Sequence, residues 1–169
     1  MTGVRVLAAL ALTAACGCMG WSAALRLTRR ARALGELERA LGRLEIGMLE
    51  KRLPLDRALT ETGHALFEEA ARRMDAAAAP GEALRGAAVR FSERGGALDC
   101  LTAADMTALY HLADELGTGG LQRQRLVLNE AKEEIANLAV QAAKRAAEMN
   151  RLYISLGALG GLTAAIILI

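Results

Sequence analysis

Aromatic residues are scarce in this 169-residue chain, at 3% of the total: one Trp, two Tyr and two Phe. There are two prolines, two histidines, three cysteines and three serines (Ser22, Ser92, Ser155). So few cysteines exclude a disulfide scaffold, and no Cys/His spacing of a zinc site occurs. The lack of a Gly-X-Y repeat or a long polar tract excludes collagen-like and largely disordered classes. Charge is missing altogether from residues 6–25 and 152–169. All 19 acids and 20 of the 21 Lys and Arg lie in 26–151, so the middle is nearly neutral. A nucleic-acid-binding domain needs a broad basic footprint, and this balance argues against one.

What is present is hydrophobic residue in quantity, 53% of the chain, against 24% charged. A mean hydropathy of +0.23 beside so many charges reflects segregation. Residues 6–25 read VLAALALTAACGCMGWSAAL and 152–169 read LYISLGALGGLTAAIILI. Twenty helical residues span about 30 Å, the thickness of a hydrocarbon core. Two membrane helices are therefore expected, dividing the chain into an N-terminal segment 1–25, a charged domain 26–151 and a C-terminal segment 152–169. Arg26, Arg29, Arg30 and Arg32 follow the first, and Lys144, Arg145 and Arg151 precede the second. The positive-inside rule then places 26–151 in the cytoplasm. Small residues recur at four-residue spacing in both segments: Cys16, Gly20 and Ala24 in one, Gly157, Gly161 and Ala165 in the other. Such stripes let helix backbones approach closely within lipid. A competing reading takes Thr13-Ala14-Ala15-Cys16 as a lipoprotein cleavage box, which would make the chain a lipidated or membrane-anchored extracytoplasmic scaffold.

The middle reads as all-α, an antiparallel helical bundle between the two membrane helices. Leu34, Leu41 and Met48 recur every seven residues with Leu37 and Leu44 between them, an apolar seam ending at Leu53-Pro54. One helix with the face Leu55, Leu59, Leu66, Phe67 and Ala70 is expected next. A further helix over 82–94 follows the break at Ala79-Pro80-Gly81 and ends at Gly95-Gly96. Thr102 with Asp105 resembles a capping box that opens a helix running to about Leu116. Gly117-Thr118-Gly119-Gly120 terminates it, and no Gly-Lys-Ser/Thr follows to make a phosphate loop. The final helix carries Leu121, Leu128, Ile135, Ala142 and Met149 in one series and Ala131, Leu138 and Leu152 in another, with Gln124 and Arg145 as interruptions. The first and last helices pair antiparallel as a stalk, with three shorter helices at its distal end. Alternatively each seam pairs with its copy in a second molecule, giving a homo-oligomer.

No constellation for catalysis emerges. His111 has Asp114 and Glu115 within one helical turn, but a single His on a charged face reads as solvated. His64 lies within reach of Glu61 and Glu68 and reads as a surface pair. Cys100 reads as a structural thiol. No serine sits in a nucleophile elbow. The acids are scattered at helix-surface spacing, so the chain is expected to be no enzyme and to need no metal or cofactor.

The layout as a whole resembles a known family. The residues that carry the likeness are Leu41, Leu44-Glu45, Pro54-Leu55, Ala58, Leu116-Gly117 and Gln124, then Tyr153, Leu156-Gly157 and Gly160-Gly161-Leu162. The family is stage III sporulation protein AB. The chain departs from its pattern at Gly47, where a second acid is usual, at Glu50, where an aromatic is common, and at Gly120, where Asp is usual. The resemblance implies a membrane component of the mother cell–forespore complex of endospore formation, similar to the cytoplasmic domain of type II secretion platform proteins. It implies a secretion-type ATPase and other membrane components of the complex as partners. On that reading the protein is a non-catalytic adaptor in the mother-cell membrane, coupling the ATPase to a transenvelope channel. Candidate partner contacts are Glu36, Glu38, Arg39 and Arg43 on the first stalk helix and Gly117 and Gly120 at the tip.

Overall fold

The computed structural model describes the backbone of residues 2–168 and the side chains of 24–149 and 151–152. Six α-helices and no strand are present among the described residues: α1 (Thr2–Glu45), α2 (Leu55–Glu61), α3 (Ala65–Asp75), α4 (Pro80–Ser92), α5 (Ala103–Glu115) and α6 (Leu121–Leu168). A π-helical turn, Ile46–Glu50, follows α1. The chain forms two compact units, one of residues 30–140 and one of residues 1–29 with 141–169. The membrane segments expected at 6–25 and 152–169 fall almost wholly outside the described side chains, as do Cys16, Gly20, Gly157, Gly161 and Ala165 of the two small-residue stripes. Ala24 is half-buried and its carbonyl accepts a 3.0 Å hydrogen bond from Thr28 Oγ1. Among the described residues no helix is long and apolar enough to cross a membrane.

The 30–140 unit is built from leucine and alanine. Leu34, Leu37, Leu41 and Leu44 of α1 are fully buried, as the seven-residue seam predicts. Each such leucine contributes about 1.5–3 kcal/mol by leaving water. Leu59, Leu66 and Phe67 face them from α2 and α3, Leu84 from α4, Leu109 and Leu112 from α5, and Leu128 and Ile135 from α6. Alanines fill the places where helices come closest: Ala58, Ala70, Ala87 and Ala108 are all essentially inaccessible. The seam of α6 is shorter than its periodicity implies, because Leu121 and Leu152 are both more than half exposed. Periodicity marks a helix face, but only neighbouring helices decide how far along that face burial extends.

Local signals explain most boundaries. The helix expected from Leu55 through Ala70 is in fact two, so four short helices are present where three are expected. Gly63 takes φ +62° between α2 and α3, a conformation that suits glycine. The break is made cheap by Thr62, whose Oγ1 donates to the Leu59 carbonyl at 2.7 Å and accepts from the His64 amide. Pro54 is the N-cap of α2 in extended conformation. Pro80 occupies the first turn of α4, which therefore starts two residues before the expected 82. Gly81 is required there by packing: a Cβ at this position would lie 2.4 Å from the carbonyl oxygen of Ala113. At α5 the capping signal holds, with Asp105 Oδ2 accepting from the Thr102 amide at 2.8 Å.

Successive short connections make neighbours antiparallel. α3 packs on α2 and α4, and α4 on α5. A Cβ on Gly117, after α5, would meet Pro80 at the start of α4 and Leu55 at the start of α2, so these three points share one end of the bundle. Glu45 of α1 and Lys132 of α6 meet at 2.6 Å. Farther along, Leu49 and Arg52 meet Leu121 and Arg125 around one hollow, so within this unit α1 and α6 run antiparallel.

Candidate functional site

Three polar clusters organise the bundle. The first is an ion pair between Arg30 of α1 and Asp105 of α5. Arg30 Nε donates to Oδ2 at 2.7 Å and Nη2 to Oδ1 at 2.8 Å, the two-pronged geometry that guanidinium and carboxylate share. Both side chains are buried, at 8% and 0% exposure. Burial alone pushes the Asp105 carboxyl up, but hydrogen bonds from Arg30 and Thr102 outweigh it and hold the group below its ordinary range. The cap of α5 is thereby tied to the opening of the buried stretch of α1.

In the second cluster, the buried Glu69 carboxylate accepts from Arg72 at 2.6 Å, Arg73 at 3.2 Å and Arg90 at 2.7 Å. Burial raises this carboxyl too, and Arg90 and Arg72 bring it net below its ordinary range. The third clamps the glycine turn. Gln124 Oε1 accepts from the Gly117 amide at 3.1 Å, while Nε2 donates to the carbonyls of Glu115 at 3.2 Å and Thr118 at 2.5 Å. The residue that interrupts the α6 seam thus satisfies the backbone at the end of α5.

A hollow of about 490 Å³ is an open groove between the last turns of α1 with the π-turn and the first turns of α6. Arg39, Arg43, Ile46, Leu49, Arg125 and Lys132 line it. The π-turn shapes this wall. Lys51 N donates to the Ile46 carbonyl at 3.1 Å and Leu53 N to that of Gly47 at 3.0 Å, with Arg52 between them at φ +54°. Gly47 is the buried residue of the turn, and its Cβ position lies 3.3 Å from that of Ala58, so a larger residue would push α2 away. Ile46 turns outward to 45% exposure. Local π geometry of this kind recurs at functional sites. A separate hollow of about 320 Å³ at the tip is lined by Met48, Arg52, Leu55, Gly117, Gly119 and Leu121.

Arg39 and Arg43, singled out from sequence, share the groove with Arg125 and Lys132, which periodicity does not distinguish from any other surface cation. Glu36 is exposed and Glu38 half-buried, and neither lines the groove. Gly117 and Gly120 are exposed at the tip, apart from the groove, with Gly117 bordering the smaller hollow. His64 is half-buried, and of its expected acidic partners Glu68 acts on it electrostatically. It caps α3, its Nδ1 accepting from the Leu66 amide at 3.3 Å, with the ring 5.7 Å from that of Phe67. Burial pushes its pKa below the usual value, with Glu36 and Glu68 opposing and Arg43 assisting. His111 is exposed, and no group of three metal-ligating side chains exists among the described residues. Cys100 is half-buried near enough to Arg30 to interact electrostatically, a basic neighbour that the sequence does not reveal.

An all-α antiparallel bundle with a charged groove along its first and last helices places the chain among small helical-bundle domains. Its kinship is narrower: the chain belongs to the stage III sporulation protein AB family, whose model matches residues 5–169, and it is therefore a sporulation protein. The fold agrees with a solved structure of stage III sporulation protein AB at a TM-score of 0.61 and 17% identity, covering 70% of this chain and 97% of the other. Comparison with curated proteins gives no match.

Proposed function

We propose that this protein is a non-catalytic membrane platform of the mother cell–forespore complex, coupling a secretion-type ATPase to a transenvelope channel. Membership of the family over residues 5–169 carries this reading. The uncharged stretches 6–25 and 152–169 anchor it in the mother-cell membrane, and the arginines beside them set residues 26–151 in the cytoplasm. Each stretch belongs to a long helix, α1 or α6, that also contributes to the bundle. Motion imposed on the bundle by a nucleotide-driven partner is thus received by the same two helices that meet the lipid. Partners are the ATPase and other membrane components of the same complex. The test is co-purification of the full chain, in detergent, with the sporulation ATPase. A stable, saturable association is expected, and its absence at every ionic strength would overturn the coupling role.

A further inference from the structure

We infer that the groove between α1 with its π-turn and α6 is a docking surface for an acidic amphipathic helix of a protein partner. This rests on the adaptor reading and supplies the chemistry of the contact. Arg39, Arg43 and Arg125 line the groove, all three exposed, and none makes an ion pair or hydrogen bond among the described residues. Elsewhere in the bundle Arg30, Arg72, Arg73, Arg85, Arg90 and Arg123 each meet a carboxylate. Arg32, Arg57 and Arg94, like the groove arginines, meet none among the described residues, so what sets the groove apart is that its unpaired guanidiniums stand together. The groove's own acids do not meet this demand: Glu45 is committed to Lys132 at 2.6 Å, which leaves Glu50 against three guanidiniums. A second hollow of about 170 Å³ shares Leu49 and Arg125 and adds Arg52, which likewise meets no carboxylate among the described residues, so the cationic row continues past the π-turn.

Apolar side chains sit between the charges. Ile46 is 45% exposed, Leu121 58%, and Leu49 is half-buried. From Arg39 to Leu49 the wall is about 15 Å long, three turns of a facing helix. A helix with acids on one edge and leucines on the other would pair the guanidiniums and cover the aliphatic residues together. Nucleic acid fits less well, since no aromatic side chain lines either hollow to stack a base.

The probe is a fluorescent synthetic helix of about 18 residues with Leu on one face and Glu on the other, titrated against the full chain in detergent. Its Lys-for-Glu counterpart serves as control. The Glu helix should bind and the Lys helix should not. Arg39→Glu/Arg43→Glu/Arg125→Glu should weaken binding about tenfold or more. The milder Arg39→Gln/Arg43→Gln/Arg125→Gln should weaken it less, with helicity and melting temperature unchanged. Equal binding of both helices, unchanged affinity in the charge-reversed chain, or no binding at all overturns the inference. So does loss of self-association in the reversed chain without peptide binding, which would make a second copy the occupant. Equal displacement by anionic vesicles, which would make lipid the occupant, overturns it too. Co-purification with the ATPase separates this from the broader reading. If the wild-type and reversed chains capture it alike, the groove is not the site and the adaptor role stands. If neither captures it, the coupling role falls and the peptide titration still decides the groove.

Discussion

Arg30 and Asp105 show how a single pair of side chains sets the terms for a fold. Two opposite charges without water are stable only together, and removing one leaves the other uncompensated at a cost of about 3–5 kcal/mol. Arg30→Met should therefore lower the thermal midpoint sharply, as followed by circular dichroism. Arg30→Met/Asp105→Asn should recover part of that loss, since no lone charge remains and an amide still caps α5. His64 acts in the opposite electrostatic sense. Its burial lowers the pKa below the ordinary 6.5, so the unfolded chain binds the proton more tightly than the folded one. By linkage, the stability tied to this group is fully present above about pH 6.5 and is lost as pH falls through the depressed folded value. Urea titrations between pH 7.5 and 5 should show that loss in the wild type, and His64→Asn, which keeps an N-cap acceptor without a titrating ring, should flatten it. Both residues carry polar chemistry, and both use it to hold helices in place.

Helix ends are where this sequence speaks most clearly and where it is most easily misread. Pro80 and the Thr102–Asp105 pair mark helix starts by local chemistry, and the structure places them at the starts of α4 and α5. The Gly117–Gly120 turn likewise ends α5 as its glycines predict, with Gly117 at φ +79°. The break at Thr62–His64 escapes the same reasoning because apolar spacing continues across it, from Leu59 to Leu66 and Phe67. The π-turn escapes too: nothing in Ile46-Gly47-Met48-Leu49-Glu50 distinguishes i+5 from i+4 bonding until Gly47 meets Ala58. Gln124 joins two elements, spending three hydrogen bonds on the α5–α6 turn. Gln124→Leu keeps the side chain's bulk but takes the hydrogen-bond partner from the Gly117 amide and the Thr118 carbonyl, while the Glu115 carbonyl keeps the amide and hydroxyl of Thr118. Denaturant unfolding should show a loss of about 1–3 kcal/mol, and amide exchange at 116–120 should quicken.

For the whole molecule the governing feature is the separation of charge along the chain. Nearly every ionisable group lies in 26–151, between two uncharged stretches. If the proposed topology holds, Cys100, half-buried in the bundle, should react with a membrane-permeant maleimide in intact cells and resist a charged, impermeant one until the membrane is opened. The experiment requires a chain in which Cys16 and Cys18 are replaced by Ala. Intact mass addresses the lipoprotein reading, since cleavage before Cys16 would remove residues 1–15 and add lipid.

Composition and periodicity by themselves determined an all-helical chain, the buried leucines of α1, the cap of α5 and the glycine turn before α6. These depend on neighbours within one or two turns, and such neighbours are written in the linear order. The likeness of Leu44-Glu45, Pro54-Leu55 and the Tyr153 to Leu162 stretch also carried the family. Only the tertiary structure decided that Arg125 and Lys132 stand across from Arg39 and Arg43, that Glu69 gathers three arginines, and that His64 caps a helix. Those groupings join residues tens of positions apart, and charged surface positions have no period that would betray them. Proximity across helices is set by how leucine and alanine pack the core, and the polar partners follow from where that packing leaves them.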